Sequence, residues 1–292
     1  MQNSASPQGN LQGKRCLVTG ATSGIGLETA QGLAAQGANL VIVSRNPDRC
    51  QRLAEQLKST SHGEITHHSA NLADSDSIQK LVSDLLSSYD RLDVLVNNAG
   101  AMFLKREKSP DGFEMTWALN HLGYFRLTCG VMPLLKAAPS ARIVSVASDA
   151  HRGMPRGLKW DDLQYETSKY RGFQAYCQSK LANILFAREL SSRLQGTNIT
   201  ANCLHPGFVA SNFFNWPGAP GAVTRMAAGV FAISPKKGAL TSIHLASSSE
   251  ISGQNGAYFS RSKAVAPSKA ALDGIAAKRL WATTAAMACM DI

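Results

Sequence analysis

The residues able to do chemistry in this chain fall into two groups. In the first, Thr19-Gly20-Ala21-Thr22-Ser23-Gly24-Ile25-Gly26 follows the apolar run Cys16-Leu17-Val18 and leads into a helical pattern. Gly20 permits a tight turn, Gly24 lets the backbone approach a pyrophosphate, and Gly26 allows close helix–strand packing. A helix starting there would turn unpaired N–H groups and its positive dipole end toward phosphates. Thr22, Ser23 and Ile25 lie in the same turn and are expected to share that contact. A glycine triplet alone marks many ordinary turns; the strand–turn–helix context makes this one a candidate dinucleotide site. After the second apolar run, Val43-Ser44-Arg45-Asn46 offers a basic side chain and no acid. That fits the ribose 2′-phosphate of NADP(H) better than the free 2′-OH of NAD. In the second group, Tyr176 and Lys180 stand four residues apart in a helical pattern, which puts a phenol and an ammonium on one face.

The elements that must position these residues are legible as alternating periodicities. Short apolar runs at Cys16–Thr19, Leu40–Val43, Ile65–His68, Leu92–Val96, Arg142–Val146, Ile199–Leu204 and Ala257–Ser260 read as strands, the last closing the sheet. Between them lie helical patterns at Leu27–Ala34, closed by Gly37, and from Asn46-Pro47 through Leu57, where a cap precedes an N1 proline. Further helices are expected at Ile78–Leu86, Phe113–Leu135 as one long helix, Tyr176–Leu194 and Gly238–Ala246. Buried strands separated by amphipathic helices predict an α/β fold, a doubly wound parallel sheet with helices on both faces in a single domain. Residues 1–13 are expected to be a flexible segment, 14–263 the dinucleotide-binding and catalytic body, and 264–292 an alanine-rich helical tail.

Composition narrows the function classes. With 292 residues and 44% hydrophobic content the chain can bury a sizeable core, which excludes a disordered protein. No apolar stretch reaches the roughly 18 residues of a membrane span, and Met1 to Asn10 lacks the basic start and apolar core of a signal peptide, so a cytoplasmic protein is expected. Cys16, Cys50, Cys129, Cys177, Cys203 and Cys289 are spread without a Cys-x-x-Cys pair and read as free thiols. His67, His68 and His151 lack metal-ligand spacing with a carboxylate or cysteine, so no metal is expected. The formal charge of +10 is scattered, and Lys105, Arg106 and Lys108 form its densest group without interleaved aromatics. A solvated basic surface, with no nucleic-acid site, is the reading; an anionic cofactor or membrane surface would also suit it.

Six ordered signals give the chain a family likeness. They are the glycine turn, Asn97-Asn98-Ala99-Gly100 after the fourth strand, and Asn120 in the long helix, then Ser148 after the fifth strand and Tyr176-Cys177-Gln178-Ser179-Lys180, with Pro206-Gly207 following the sixth. In this order and spacing the chain resembles the short-chain dehydrogenase/reductase family over about Lys14 to Ser260, which implies a sheet of Rossmann type. Asn120-His121-Leu122-Gly123, Tyr176 through Asn183 and His205-Pro206-Gly207 resemble the retinol-dehydrogenase-like branch most. The family usually has an Asp after the third strand; here Ala70-Asn71-Leu72 leaves an uncharged Asn to meet adenine.

The resemblance implies hydride transfer between NADPH and a carbonyl carbon, with Tyr176 giving the proton. A phenol of ordinary pKa about 10 exchanges poorly near neutrality, and the Lys180 charge, with that of the oxidised nicotinamide, is expected to favour the phenolate. Ser148 would polarise the substrate oxygen, Lys180 would also bond the nicotinamide ribose, and Asn120 would hold a water that links Lys180 to solvent. Asn71, Leu72, Asn98, Ala99 and Gly100 would line the cofactor, and Pro206, Gly207, Val209 and Ser211 would fix the carboxamide face. His121, one residue from Asn120, points about 100° away and reads as structural.

The substrate expected is an apolar aldehyde or ketone, or the alcohol in reverse. The 28 positions from Ser148 to Tyr176 carry Met154, Pro155, Leu158, Trp160, Leu163 and Tyr165, expected to form one cleft wall. Phe208, Phe213, Phe214, Trp216, Met226 and Phe231 would form the other. The tail could cover the cleft, a partner subunit or a membrane surface, any such membrane contact being peripheral. The resemblance implies a homodimer or homotetramer through the helices carrying Asn120 and Tyr176. The alternatives are a carbon–carbon double-bond reductase on the same scaffold and a non-catalytic NADP-binding sensor.

Overall fold

A computed structural model describes residues 11–209 and 233–290. Eight strands form one sheet: β1 (Arg15–Thr19), β2 (Asn39–Ser44), β3 (Ile65–Ser69), β4 (Val94–Asn97), β5 (Ala141–Val146), β6 (Ile199–His205), β7 (Tyr258–Ser260) and β8 (Lys263–Ala264). Their order is β3-β2-β1-β4-β5-β6-β7-β8, with every pair parallel except β7–β8. The direction of the strand order reverses between β1 and β4, the place where an open sheet of this kind leaves a crevice at its carboxyl edge.

Alternation along each strand divides the core. Cys16 and Val18 of β1, Leu40 and Ile42 of β2 and Val94 and Val96 of β4 pack with α1 (Gly24–Ala34) and α2 (Pro47–Lys58). Leu17, Val41, Val43 and Leu95 point the other way, toward α3 (Ser75–Ser88) and the later helices. That two-residue period, buried on both faces, is what a strand covered by helices on each side requires. The Asn46 side chain accepts from Arg49 N at 2.9 Å with Pro47 behind it, so α2 starts where its cap predicts.

The expected long helix over 113–135 is broken. The Glu114 carboxylate caps a single turn, α4 (Met115–Trp117), by accepting from Thr116 N and Trp117 N, each at 2.8 Å. A π-helical turn follows at Ala118–Leu122, then α5 (Gly123–Gly130), and after Val131 a short α6 (Met132–Ala137) that carries Pro133. Proline lacks the N–H that would continue the ladder, and the wider turn accommodates the inward pull on Asn120 described below. The sheet also runs one strand further than the pattern indicates. Arg261 and Ser262 both adopt left-handed φ, 51° and 59°, and turn the chain back into β8. A two-residue hairpin needs that conformation, but glycine or asparagine usually signals it.

The long α7 (Gly172–Arg193) lies among the sheet, the 149–171 segment and the last helix, with buried residues all around it. After α8 (Pro235–Ser247) and the β7–β8 hairpin, the tail ends in α9 (Gly274–Ala288). The tail packs on the chain's own body, against α5 and α7. Trp281 stacks on Phe186 at 5.9 Å and meets Phe125 edge-on at 5.0 Å. Thr284 Oγ1 lies 2.8 Å from His121 Nε2, a ring that is fully buried and pushed down to about 3 by that burial. His121 is therefore a packed core residue, as its helix position predicts. Trp281→Ala should lower unfolding stability by about 3–5 kcal/mol, the usual cost of emptying a buried tryptophan site. Urea midpoints of the two proteins check this, and equal midpoints would make α9 an ornament.

Candidate active site

The carboxyl ends of β1 and β4 are tied together before any functional side chain is placed. Thr19 Oγ1 accepts from Asn98 N at 2.9 Å and Ala99 N at 3.1 Å, and Asn98 Nδ2 donates to Thr19 O at 2.8 Å. Gly20 has φ +64°, and a side chain there would come 2.9 Å from Ala99 Cα. A Cβ on Gly26 would run into Gly20 O. Both glycines are required by backbone-to-backbone approach, as the motif implies.

Beyond this turn α1 begins. Ser23, its N-cap, makes no side-chain capping bond, and the first turn carries no acid. Its leading N–H groups and positive dipole end suit a pyrophosphate. Thr22 Oγ1 lies 2.8 Å from Ser44 Oγ, joining the turn to the end of β2, where Arg45 stands exposed. Ile25 packs at this terminus, near Gly238. Asn71 Oδ1 accepts from Ala73 N at 3.2 Å, so part of the acceptor capacity expected to meet adenine holds its own turn. Leu72 is buried with its carbonyl against Gly123, and Gly100 is exposed beside Asn120 and Lys180. Pro206, Gly207 and Val209 follow β6, with Gly207 at φ +95° and Val209 bridged to Ile233. Ser211, Phe213, Phe214, Trp216, Met226 and Phe231 lie outside the described residues.

The four residues singled out for hydride chemistry converge. Asn120 is fully buried in the π turn. Its Oδ1 accepts from Ala101 N and its Nδ2 donates to Ala101 O, both at 2.9 Å, with a further bond to Ser179 Oγ at 3.0 Å. Both amide hydrogens are thus committed, which makes its side chain a clamp on the segment after β4; the expected water contact is left to its remaining lone pair. Ser148 follows β5 and its Oγ accepts from Ala150 N at 3.2 Å, leaving the hydroxyl proton to donate elsewhere. The Ser148 side chain also hydrogen-bonds the Tyr176 phenol. Lys180, 3% exposed, donates to Val146 O at 2.9 Å and sits 5.5 Å from the Tyr176 ring centroid.

Burial shifts the phenol and the amine in opposite directions. Burial pushes Tyr176 up to about 12, against a smaller downward pull from the Ser148 hydrogen bond. Burial pushes Lys180 down to about 7. Desolvation disfavours the charged form of each group, so the amine is a weaker fixed charge on its neighbour than an exposed lysine would be.

Of the six residues expected along one cleft wall, four are buried, while Pro155 is exposed and Trp160 half-buried. Met154, Leu158, Leu163 and Tyr165 are buried, the first three in a cluster with Cys177 and Leu181 of α7. Lys159 N donates to Gln178 Oε1 and Gln178 Nε2 to Leu163 O, each at 3.0 Å. An insertion of this length must bury its own apolar side chains, and it does so against the helix that carries Tyr176. The exposed apolar groups nearby are instead Leu104, next to Gly172, Phe173, three residues before Tyr176, and Phe208. Phe173 could have been found from its spacing on the Tyr176 face. Sequence reasoning also missed His151, fully buried behind Ser148; only its spacing from the serine hinted at it.

Comparison with known proteins agrees with this arrangement. The family model for short chain dehydrogenase matches residues 14–160. Human retinol dehydrogenase 13 is 37% identical over 291 residues, 96% of this chain and 86% of that protein. A solved structure of a putative uncharacterized protein from Mycobacterium paratuberculosis is 27% identical with a TM-score of 0.78, covering 98% of this chain and 97% of the other. A putative NAD(P)-dependent gluconate 5-dehydrogenase from Beutenbergia cavernae, solved with bound NADP, is also 27% identical, with a TM-score of 0.69 over 86% and 96% of the two chains. No described helix is long and apolar enough to cross a membrane. The chain is a member of the short-chain dehydrogenase family, an oxidoreductase that uses a nicotinamide cofactor on a Rossmann-type sheet.

Proposed function

We propose that this protein interconverts an apolar aldehyde or ketone and its alcohol, with NADP(H) as cofactor. The observation that carries this reading is Lys180. It is a buried lysine with no carboxylate in ion-pair range among the described residues, within 5.5 Å of a phenol that Ser148 also engages. Burying such a group opposes folding, and a structural role would be filled better by an apolar side chain.

The residues divide the work. Gly20, Thr22, Ser23, Gly24, Ile25 and Gly26 hold the pyrophosphate at the α1 terminus, and Asn98, Ala99 and Gly100 line the path from it toward Lys180. Asn71 and Leu72 border adenine, Pro206, Gly207 and Val209 border the carboxamide, and Ser211 belongs with them by sequence. When bound, NADPH supplies the hydride to the carbonyl carbon. Ser148 donates its hydroxyl proton in a hydrogen bond to the substrate oxygen and draws charge onto it. Tyr176 transfers its phenolic proton to that oxygen and becomes a phenolate. Lys180, poised near neutrality, takes up a proton from solvent and as an ammonium holds the phenolate charge, while Asn120 keeps the Ala101 segment in place beside it. Arg45 favours NADP(H) because its guanidinium stands at the end of β2, where an acid would select NAD; the bound NADP of the Beutenbergia neighbour supports this choice. Phe173, Leu104 and Phe208 give the entrance an apolar rim, and the name of the human relative points to retinol as a substrate of the same chemical class.

Tyr176→Phe should abolish NADPH oxidation across apolar aldehydes and ketones, a fall of at least about a hundredfold, while NADPH affinity stays within a few-fold. Turnover that survives would remove Tyr176 as the proton donor; product analysis would show whether a carbonyl or a carbon–carbon double bond is reduced. Arg45→Asp should raise the KM for NADPH and narrow or reverse the preference over NADH. Steady-state kinetics with both cofactors check this, and an unchanged ratio would reduce Arg45 to a surface residue.

A further inference from the structure

His151 is a fully buried histidine that the proposed reaction does not use. It lies in the short 3-10 turn Asp149–Gly153, immediately after Ser148, and both of its ring nitrogens are engaged. Nε2 lies 3.0 Å from Ser268 N, and Nδ1 lies 2.7 Å from Ser148 O. A backbone N–H only donates and a carbonyl oxygen only accepts, so the partners dictate the tautomer: Nε2 bears the lone pair and Nδ1 the hydrogen. A proton on Nε2 would face the Ser268 N–H donor to donor, and burial likewise favours the neutral ring. The ring packs edge-on to Tyr258 of β7 at 5.2 Å.

The same turn is anchored from other sides. Asp149 N donates to His205 Nδ1 at 3.2 Å, and Tyr258 donates its hydroxyl to Asp149 Oδ1 at 3.0 Å. Arg152 Nη2 donates to Ala266 O at 3.0 Å. The polypeptide on both sides of the Ser148 carbonyl is thus tied to β6, β7 and the segment before α9. Among the described residues the Ser148 carbonyl accepts from His151 alone, from its backbone N at 3.1 Å and from its ring, and the ring is fixed from a point 117 residues downstream.

We propose that His151 is a positioning residue for Ser148: its neutral Nδ1–H tautomer bridges the serine carbonyl to Ser268 N and so sets the direction of the serine hydroxyl. The inference rests on the role given to Ser148 above. A hydroxyl displaced by a fraction of an ångström would still leave the cofactor site intact, so the signature is a loss in kcat with an unchanged KM for NADPH.

Three variants separate the two bonds. His151→Asn keeps a donor at the Nδ1 position, His151→Gln keeps an acceptor at the Nε2 position, and His151→Phe keeps only the ring. NADPH binding, followed by fluorescence, shows that each has folded. The expected result is a kcat lowered roughly tenfold to a hundredfold in the Gln and Phe variants, substantial rescue by Asn, and unchanged NADPH affinity throughout. Isotope-labelled histidine nitrogens in the intact protein should show the Nδ1–H tautomer by NMR. The opposite tautomer, equal loss in all three folded variants, or no loss in any overturns the proposal while turnover by the parent chain leaves the functional reading standing. A parent chain without Tyr176-dependent turnover overturns the functional reading, and the positioning role with it.

Discussion

The burial of one amine constrains everything around the carboxyl edge of the sheet. Lys180 is 3% exposed and its hydrogen-bond acceptor is a backbone carbonyl, Val146 O, at the end of β5. Two residues later that strand presents Ser148, so the same bond sets α7, and Tyr176 with it, against the serine. An isolated ammonium in such a place is costly, and the group responds by giving up its proton near neutrality. Tyr176 is displaced the other way by the same physics. Each charged form is disfavoured alone, and the two would stabilise one another if they formed together. In the proposed reaction, passing the phenolic proton to a substrate oxygen would create that second charge at the moment Lys180 can answer it.

The scaffold keeps this pair in register by backbone means. Thr19 and Asn98 lash β1 to β4, which lets Gly20 and Gly26 close the turn proposed to hold the cofactor. Asn120 grips both polar groups of Ala101, and the π turn that holds it interrupts an otherwise continuous helix. A local irregularity of this kind is retained when the side chain it redirects is needed inward. On the far side, Trp281 and Thr284 of α9 bury Phe125, Phe186 and His121, so the helices bearing Asn120 and Tyr176 are braced by the chain's own C-terminal helix.

How far the sequence could be read followed the range of the interactions. Strands buried on both faces announced themselves as apolar runs, and Asn46-Pro47 marked a helix start because its cap is a contact three residues long. Tyr176 and Lys180 were legible for the same reason. The pKa of the pair was not, because it depends on how much protein surrounds Lys180 rather than on the spacing between the two residues. The 149–171 insert looked like a cleft wall by composition, yet its apolar groups found a burial site on α7 that only the fold provides. The hairpin at Arg261-Ser262 lacked the residues that normally signal it, and the partner of His151 lies 117 positions away.

The most direct test of the account is the proton equilibrium of Lys180 itself, followed by NMR on isotope-labelled lysine, with Lys180→Met to identify the signal. The account predicts a midpoint at about 7 in the ligand-free protein, well below the 10.5 of an ordinary lysine. A signal that titrates with the surface lysines would contradict it, because Lys180 would then be a fixed charge and Tyr176 would need no partner that responds to its own ionisation.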